Sequence, residues 1–136
     1  MIGSCECKNI EIEWSGSRSD YSPRRCKCSY CVSKDALYVS EPDTEIKITI
    51  KDKNKIKIIV HGTETADFHE CIICNELAFV TSNIDGNIYG IINCDCILDK
   101  NILWPPQDFS YEGESLEERL KRRKKNWCNS VIINQS

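Results

Sequence analysis

Ten cysteines in 136 residues, most of them in close groups, constrain this chain more than any other feature. They run Cys5-x-Cys7, Cys26-x-Cys28-x-x-Cys31, Cys71-x-x-Cys74 and Cys94-x-Cys96, with Cys128 alone. A disulfide inside Cys-x-Cys would close a ring too small for relaxed geometry. A metal site instead needs soft ligands converging at about 2.3 Å on one ion, and a short turn can aim two thiolates the same way. Cysteines 5, 7, 26, 28, 31, 71 and 74 therefore read as metal ligands, with zinc foremost and iron left open at the Cys26, Cys28 and Cys31 group, because thiolates accept both. Groups of two, three and two imply one closed four-thiolate site and one three-thiolate site. A closed site is structural. Three protein ligands leave a position open, which is the catalytic pattern.

The rest of the composition fits a small domain that needs such staples. A chain of this length implies a single domain, 1–136, with a modest core. Its hydrophobic fraction is 40% and its charged fraction 29%, a make-up in which metal commonly supplements the core. The formal charge of −3 selects no partner. The first residues carry no basic segment followed by an apolar run, and no stretch approaches membrane-span length. The expectation is a cytoplasmic protein with reduced thiols and no membrane association.

Along the chain the hydrophobic period is mostly two. Ile10, Ile12 and Trp14 alternate with Glu11 and Glu13. Ile46, Ile48 and Ile50 alternate with Glu45, Lys47 and Thr49, and after a polar turn at 51–54 come Ile56, Ile58 and Val60. Further strands are expected near 21–27, 36–40, 65–70 and 77–81, with a hairpin at Asp85-Gly86 leading into 87–93. His61, before Gly62, falls in an expected turn and has no assigned role. Trp104-Pro105-Pro106 breaks regular structure and is expected to lie extended. The core therefore spans about 1–112. One basic helix follows at about 115–127, with Ser115 and Glu118 as a capping box and pairs Glu117–Lys121 and Glu118–Arg122. Leu116 and Leu120, extended by Trp127, form its apolar stripe. The fold class is mainly β with one C-terminal helix.

Three ordered motifs then resemble a known family. Gly3-Ser4-Cys5-Glu6-Cys7, Cys26-Lys27-Cys28-Ser29-Tyr30-Cys31 and Phe68-His69-Glu70-Cys71-Ile72-Ile73-Cys74 are similar to the glutathione-dependent formaldehyde-activating (GFA) family, which includes centromere protein V. The similarity continues through Ile92-Asn93, Cys96 and Leu98 to Asn126-Trp127. It implies a small zinc-stabilised β-fold shared with a Rab-exchange-factor-like superfamily, and two zinc ions per chain. Cys5, Cys7, Cys71 and Cys74 would hold a structural zinc. Cys26, Cys28 and Cys31 would hold the second, with a thiol or water as its fourth ligand. The pattern also departs from the family. Lys27 stands where many members have histidine, Val32-Ser33-Lys34-Asp35 replaces basic residues and a glycine, and Asn75 replaces a glycine that follows the last ligand.

A zinc bearing three thiolates is a weak Lewis acid and is better suited to capturing a thiol than to activating water. The resemblance implies a carbon–sulfur lyase that forms or cleaves S-hydroxymethylglutathione. Arg24, Arg25 and Lys27 flank the triple and are candidates for glutathione's carboxylates. His69 is a candidate acid–base or substrate-binding group, or else an alternating strand residue facing solvent or the site wall. Cys94 and Cys96 are either a third metal pair or, for Cys96, a small buried side chain; Cys128 is expected to be free. The basic run from Arg119 to Lys125 suits the C-terminal half of a helix through the dipole. Nucleic acid is not an expected partner, since no aromatic stacking platform accompanies that run. The alternative function is a non-catalytic zinc-stabilised module that binds a partner through the basic helix.

Overall fold

The computed structural model describes residues 1–60 and 64–135, so His61 lies outside the described residues. The protein is mainly β, with one long helix. The alternating segments read from the sequence pair with one another. β1 (Ile2–Ser4) lies antiparallel to β2 (Ile10–Trp14), which pairs antiparallel with β5 (Glu45–Ile50). Ile10, Ile12 and Trp14 face Ile50, Ile48 and Ile46 across the ladder and are buried, while Glu13 faces Lys47 on the exposed side. Cross-strand pairs of this kind stabilise a sheet by packing apolar side chains on one face.

The second sheet follows the order β10-β3-β4-β9-β8-β7-β6. Its strands are β3 (Arg24–Cys26), β4 (Tyr38–Val39), β6 (Ile56–Ile59), β7 (Asp67–Cys71), β8 (Leu77–Ile84), β9 (Asn87–Asn93) and β10 (Gln107–Phe109). β8 is an interior strand, between β9 and β7, and Leu77 to Ser82 are all buried. The turn between β8 and β9 has Asp85 and Gly86 at φ 54° and 85°, both left-handed, as a tight hairpin of this hand requires. A register shift in β7 between His69 and Glu70 re-aims the strand just before Cys71. Trp104 donates its N–H to the Tyr21 carbonyl, so the proline segment does lie extended on the domain and runs into β10.

Several elements differ from the sequence reading. β1, β10 and the five-residue helix α1 (Ser29–Ser33) were not expected. The second expected strand shrinks to β3, with only an isolated bridge at Tyr21. After the long helix α2 (Leu116–Asn126), β11 (Ser130–Gln135) joins the first sheet parallel to β5. β11 brings Val131 against Gly90 of the other sheet, where a Cβ would lie 2.7 Å from the valine Cγ2. Gly90 therefore permits the close approach of the two sheets.

α2 begins as expected, with Ser115 Oγ accepting from the Glu118 N–H at 3.1 Å. Its apolar stripe is offset. Leu116 is exposed, whereas Leu120 and Trp127 pack on a small core with Tyr38, Phe68, Val80 and Ile91. Lys121 pairs with Glu117 at 3.5 Å, but Arg122 turns to Glu114 rather than Glu118. The ridge that faces inward is thus Arg119, Arg123 and Trp127, at helical spacing.

Candidate metal centres and their cavity

All ten cysteines are free thiols, and seven of them form two clusters. Cys5, Cys7, Cys71 and Cys74 bring their sulfurs within 4.8 Å of one another. The Cys5–Cys7 and Cys7–Cys71 separations are 3.7 and 3.5 Å. A tetrahedron with metal–sulfur bonds of about 2.3 Å has edges of roughly 3.8 Å, so four thiolates so placed fit zinc. Two turns create the arrangement. Lys8 and Asn75, just beyond the second cysteine of each pair, are left-handed at φ 66° and 60°. Asparagine tolerates this conformation through its short polar side chain. The turned backbone aims amides at sulfur: Ile10 N–H donates to Cys5 Sγ at 3.3 Å. Burial pushes the Cys5 thiol up to about 12 and raises Cys71 as well. Against burial, the amides of Cys7 and Glu76 carry Cys74 below its ordinary value. Four thiols packed this closely, two of them buried, cannot all ionise without a cation, so a bound dication fits this donor set and would release protons on entry.

The second cluster is Cys26, Cys28 and Cys31, also within 4.8 Å. Cys26 ends β3. Cys28 caps α1 and accepts the Cys31 N–H at 3.4 Å. Cys31 is buried, and its sulfur lies 3.1 Å from the Tyr38 hydroxyl. A hydrogen bond from Cys31, helped by the charge of Arg122, lowers Cys26 to about 5, while the same contact and burial raise Cys31. Three thiols therefore share a negative charge in the absence of metal, and the donor set again fits a soft cation with one position free.

These thiols sit on the wall of a cavity of about 450 Å³. Arg24, Lys27, Arg119, Arg122 and Arg123 supply its cations, and Tyr38, Phe68, Tyr111 and Trp127 its aromatic surface. Arg122 holds Glu114 through two hydrogen bonds of 2.9 and 3.1 Å and stacks 3.6 Å over the Tyr111 ring. Arg24 is half-buried and donates to Ser40 Oγ, which in turn donates to the Asn126 carbonyl at 2.8 Å. That chain ties the end of α2 to the site.

The candidate binding residues separate. Arg24 and Lys27 line the cavity, although Lys27 also reaches Asp108 at 3.2 Å. Arg25 pairs with Asp108 and does not line it. His69 does not line it either, and it is 6% exposed rather than facing solvent. Its ring stacks on Phe79 at 4.1 Å and its Nε2 meets Thr81 Oγ1 at 2.9 Å. Burial lowers it to about 4, which suits a neutral structural imidazole. Cys94, Cys96 and Cys128 are buried outside both clusters, and Cys96 donates to Glu76 at 3.1 Å. The sequence reading missed Tyr38 and the inward arginines of α2. The i, i+4, i+8 spacing of Arg119, Arg123 and Trp127 was the available signal.

The fold and sites thus define a small mainly β protein with two cysteine clusters, each able to hold a metal ion. No family model and no curated protein matches the chain. Among solved structures it is similar to a crystal structure of a Rhodobacter sphaeroides protein, with a TM-score of 0.54 and 22% identity. The match covers 73% of this chain and 89% of that one, and at this identity it speaks to fold alone. Among the described residues, no helix is long and apolar enough to cross a membrane.

Proposed function

We propose that the chain is a two-zinc protein of the GFA type, a cytoplasmic carbon–sulfur lyase acting on adducts of a thiol such as glutathione. The observation that supports this most is the position of Cys26, Cys28 and Cys31 on the wall of a cation-lined cavity of small-molecule size. Zinc held there would keep an incoming thiol as thiolate at neutral pH. In the forward direction the thiol sulfur adds to the formaldehyde carbon. The π pair moves to oxygen, and the proton given up by the thiol ends on that oxygen. The reverse breaks the same C–S bond and returns the proton to sulfur. Tyr38 keeps its proton because burial raises it, so it acts as a standing hydrogen-bond partner that orients Cys31. Phe68 and Trp127 keep water from one side of the cavity. The alternative, partner binding through an exposed basic helix, has less support because Arg119, Arg122 and Arg123 turn toward the cavity.

The test is metal content by elemental mass spectrometry, then glutathione titration of cobalt-substituted protein. Two metals per chain, with a glutathione-dependent change in cobalt absorption and a faster adduct reaction, support the reading. One metal, or a spectrum and rate both indifferent to saturating glutathione, overturns it.

A further inference from the structure

The cations of the cavity are unevenly partnered. Glu114 serves both Arg119 and Arg122, and Asp108 serves Lys27. Among the described residues, neither Arg24 nor Arg123 meets a carboxylate within ion-pair distance. Arg123 is nevertheless buried, and Arg24 is half-buried. Arg123 is 8% exposed and is held by neutral oxygens, Thr65 Oγ1 at 2.8 Å and Ser82 Oγ at 3.2 Å. Its Nε–H has no hydrogen-bond partner among the described residues. Among the described residues, the Arg24 guanidinium donates to the Ser40 hydroxyl. Burying a guanidinium is costly unless it is paired, and planar guanidinium forks match carboxylates. Two such groups beside a thiol-capturing cluster leave the cavity short of anionic charge.

We infer that Arg24 and Arg123 form an acid-recognition subsite, which selects thiols that carry a carboxylate some bonds away from sulfur. The inference rests on the thiol-capture reading for its ligand. Arg122, clamped by Glu114 and stacked on Tyr111, walls this subsite, and the Trp127 ring beneath Arg123 at 5.0 Å offers an apolar face for the ligand's chain. A competing account is that the arginines only balance the three thiolates. That account gives no discrimination between acidic and neutral thiols.

The experiment is calorimetric titration of the protein with its bound metal, using 3-mercaptopropionate, the uncharged 2-mercaptoethanol, and S-methylglutathione, whose sulfur is blocked. The acidic thiol is expected to bind at least about tenfold tighter than the neutral one, as charge-assisted pairing would give. Arg123→Gln, and separately Arg24→Gln in case the first fails to fold, should reduce that preference to about twofold. Equal binding of the two thiols, or a preference that survives in both folded variants, overturns the subsite and leaves thiol capture standing. If neither thiol binds but S-methylglutathione does, and the variants abolish this, the subsite stands and thiol capture falls. If none of the three binds, both fall.

Discussion

The two cysteine clusters use similar ligands for opposite architectural ends. The four-thiol cluster is drawn from two segments far apart in the chain. Cys5 and Cys7 follow β1, Cys71 ends β7, and two left-handed residues close the turns around it. Its sulfurs face each other, and Cys5 and Cys71 belong to the inter-sheet core. The three-thiol cluster lies within six residues of chain and stands at the edge of a cavity roofed by α2. The first resembles a staple in place of hydrophobic core, and the second resembles a mouth. The comparison teaches that ligand count alone does not separate the roles; what does is whether the sulfurs bridge distant segments or line open space.

The comparison breaks most visibly under single serine substitutions. Cys71→Ser should unfold the domain, because structural zinc commonly supplies more than about 10 kcal/mol of apparent folding free energy. Cys26→Ser should leave the far-ultraviolet circular dichroism intact and remove one metal per chain. Equal unfolding of both variants would show that the open cluster is as structural as the closed one.

A second test uses acid. His69 sits in the strand that delivers Cys71, and burial holds its folded value near 4 against 6.5 when exposed. The neutral ring is the native form, so its contribution is whole above 6.5 and is lost as the pH falls toward 4. The ceiling on that loss is roughly 3 kcal/mol. His69→Gln should therefore show a flatter fall in denaturant midpoint between pH 6.5 and 4 than the native protein. Metal loss is common to both proteins, so parallel slopes would contradict a neutral buried histidine.

Between the clusters runs a polar bridge. The Tyr30 hydroxyl, between Cys28 and Cys31, donates to Glu70, the residue before Cys71, and Lys34 completes the carboxylate at 2.9 Å. Tyr30→Phe leaves one carboxylate oxygen of a buried group short of a donor and should cost about 1–3 kcal/mol. If the bridge couples the sites, a chelator will strip metal faster from both clusters. Faster loss from only one would show that they are independent.

Much of this was legible in the sequence. Period-two alternation located β2 and β5, because each has one buried face; it also found β6, but there Ile58 and Val60 are exposed, since this strand lies at the edge of its sheet. Cysteine spacing gave both clusters, because chelation demands closeness that the chain itself must supply. The failures are non-local. β1 is Ile2-Gly3-Ser4, too short for a period, and it exists because Gly3 packs where a Cβ would meet the Cys96 carbonyl oxygen at 1.9 Å. β11 has Val131-Ile132-Ile133 in a row with no alternation, and its parallel pairing with β5 spans most of the chain. The basic run of α2 satisfied a dipole argument on its own, and the i, i+4, i+8 spacing that ties Arg119 and Arg123 to Trp127 was the one local sign that part of it turns inward.

That inward face permits the finest distinction between the clusters. α2 roofs the open site and contributes no ligand to the closed one, so weakening the helix should be felt on one side only. Ser115→Ala removes the side chain that accepts the Glu118 N–H, which is worth about 1 kcal/mol. Amide hydrogen exchange should quicken along Leu116–Asn126, where Arg119, Arg122 and Arg123 are carried, and stay unchanged at Ile10 and Glu76 beside the closed cluster. The variant should also bind 3-mercaptopropionate several-fold more weakly with unaltered metal content, since fraying the helix disorders the arginines without touching a sulfur. Exchange that quickens equally at Ile10 would mean that the roof and the staple form one cooperative unit, and the two regions would then differ in geometry but not in stability.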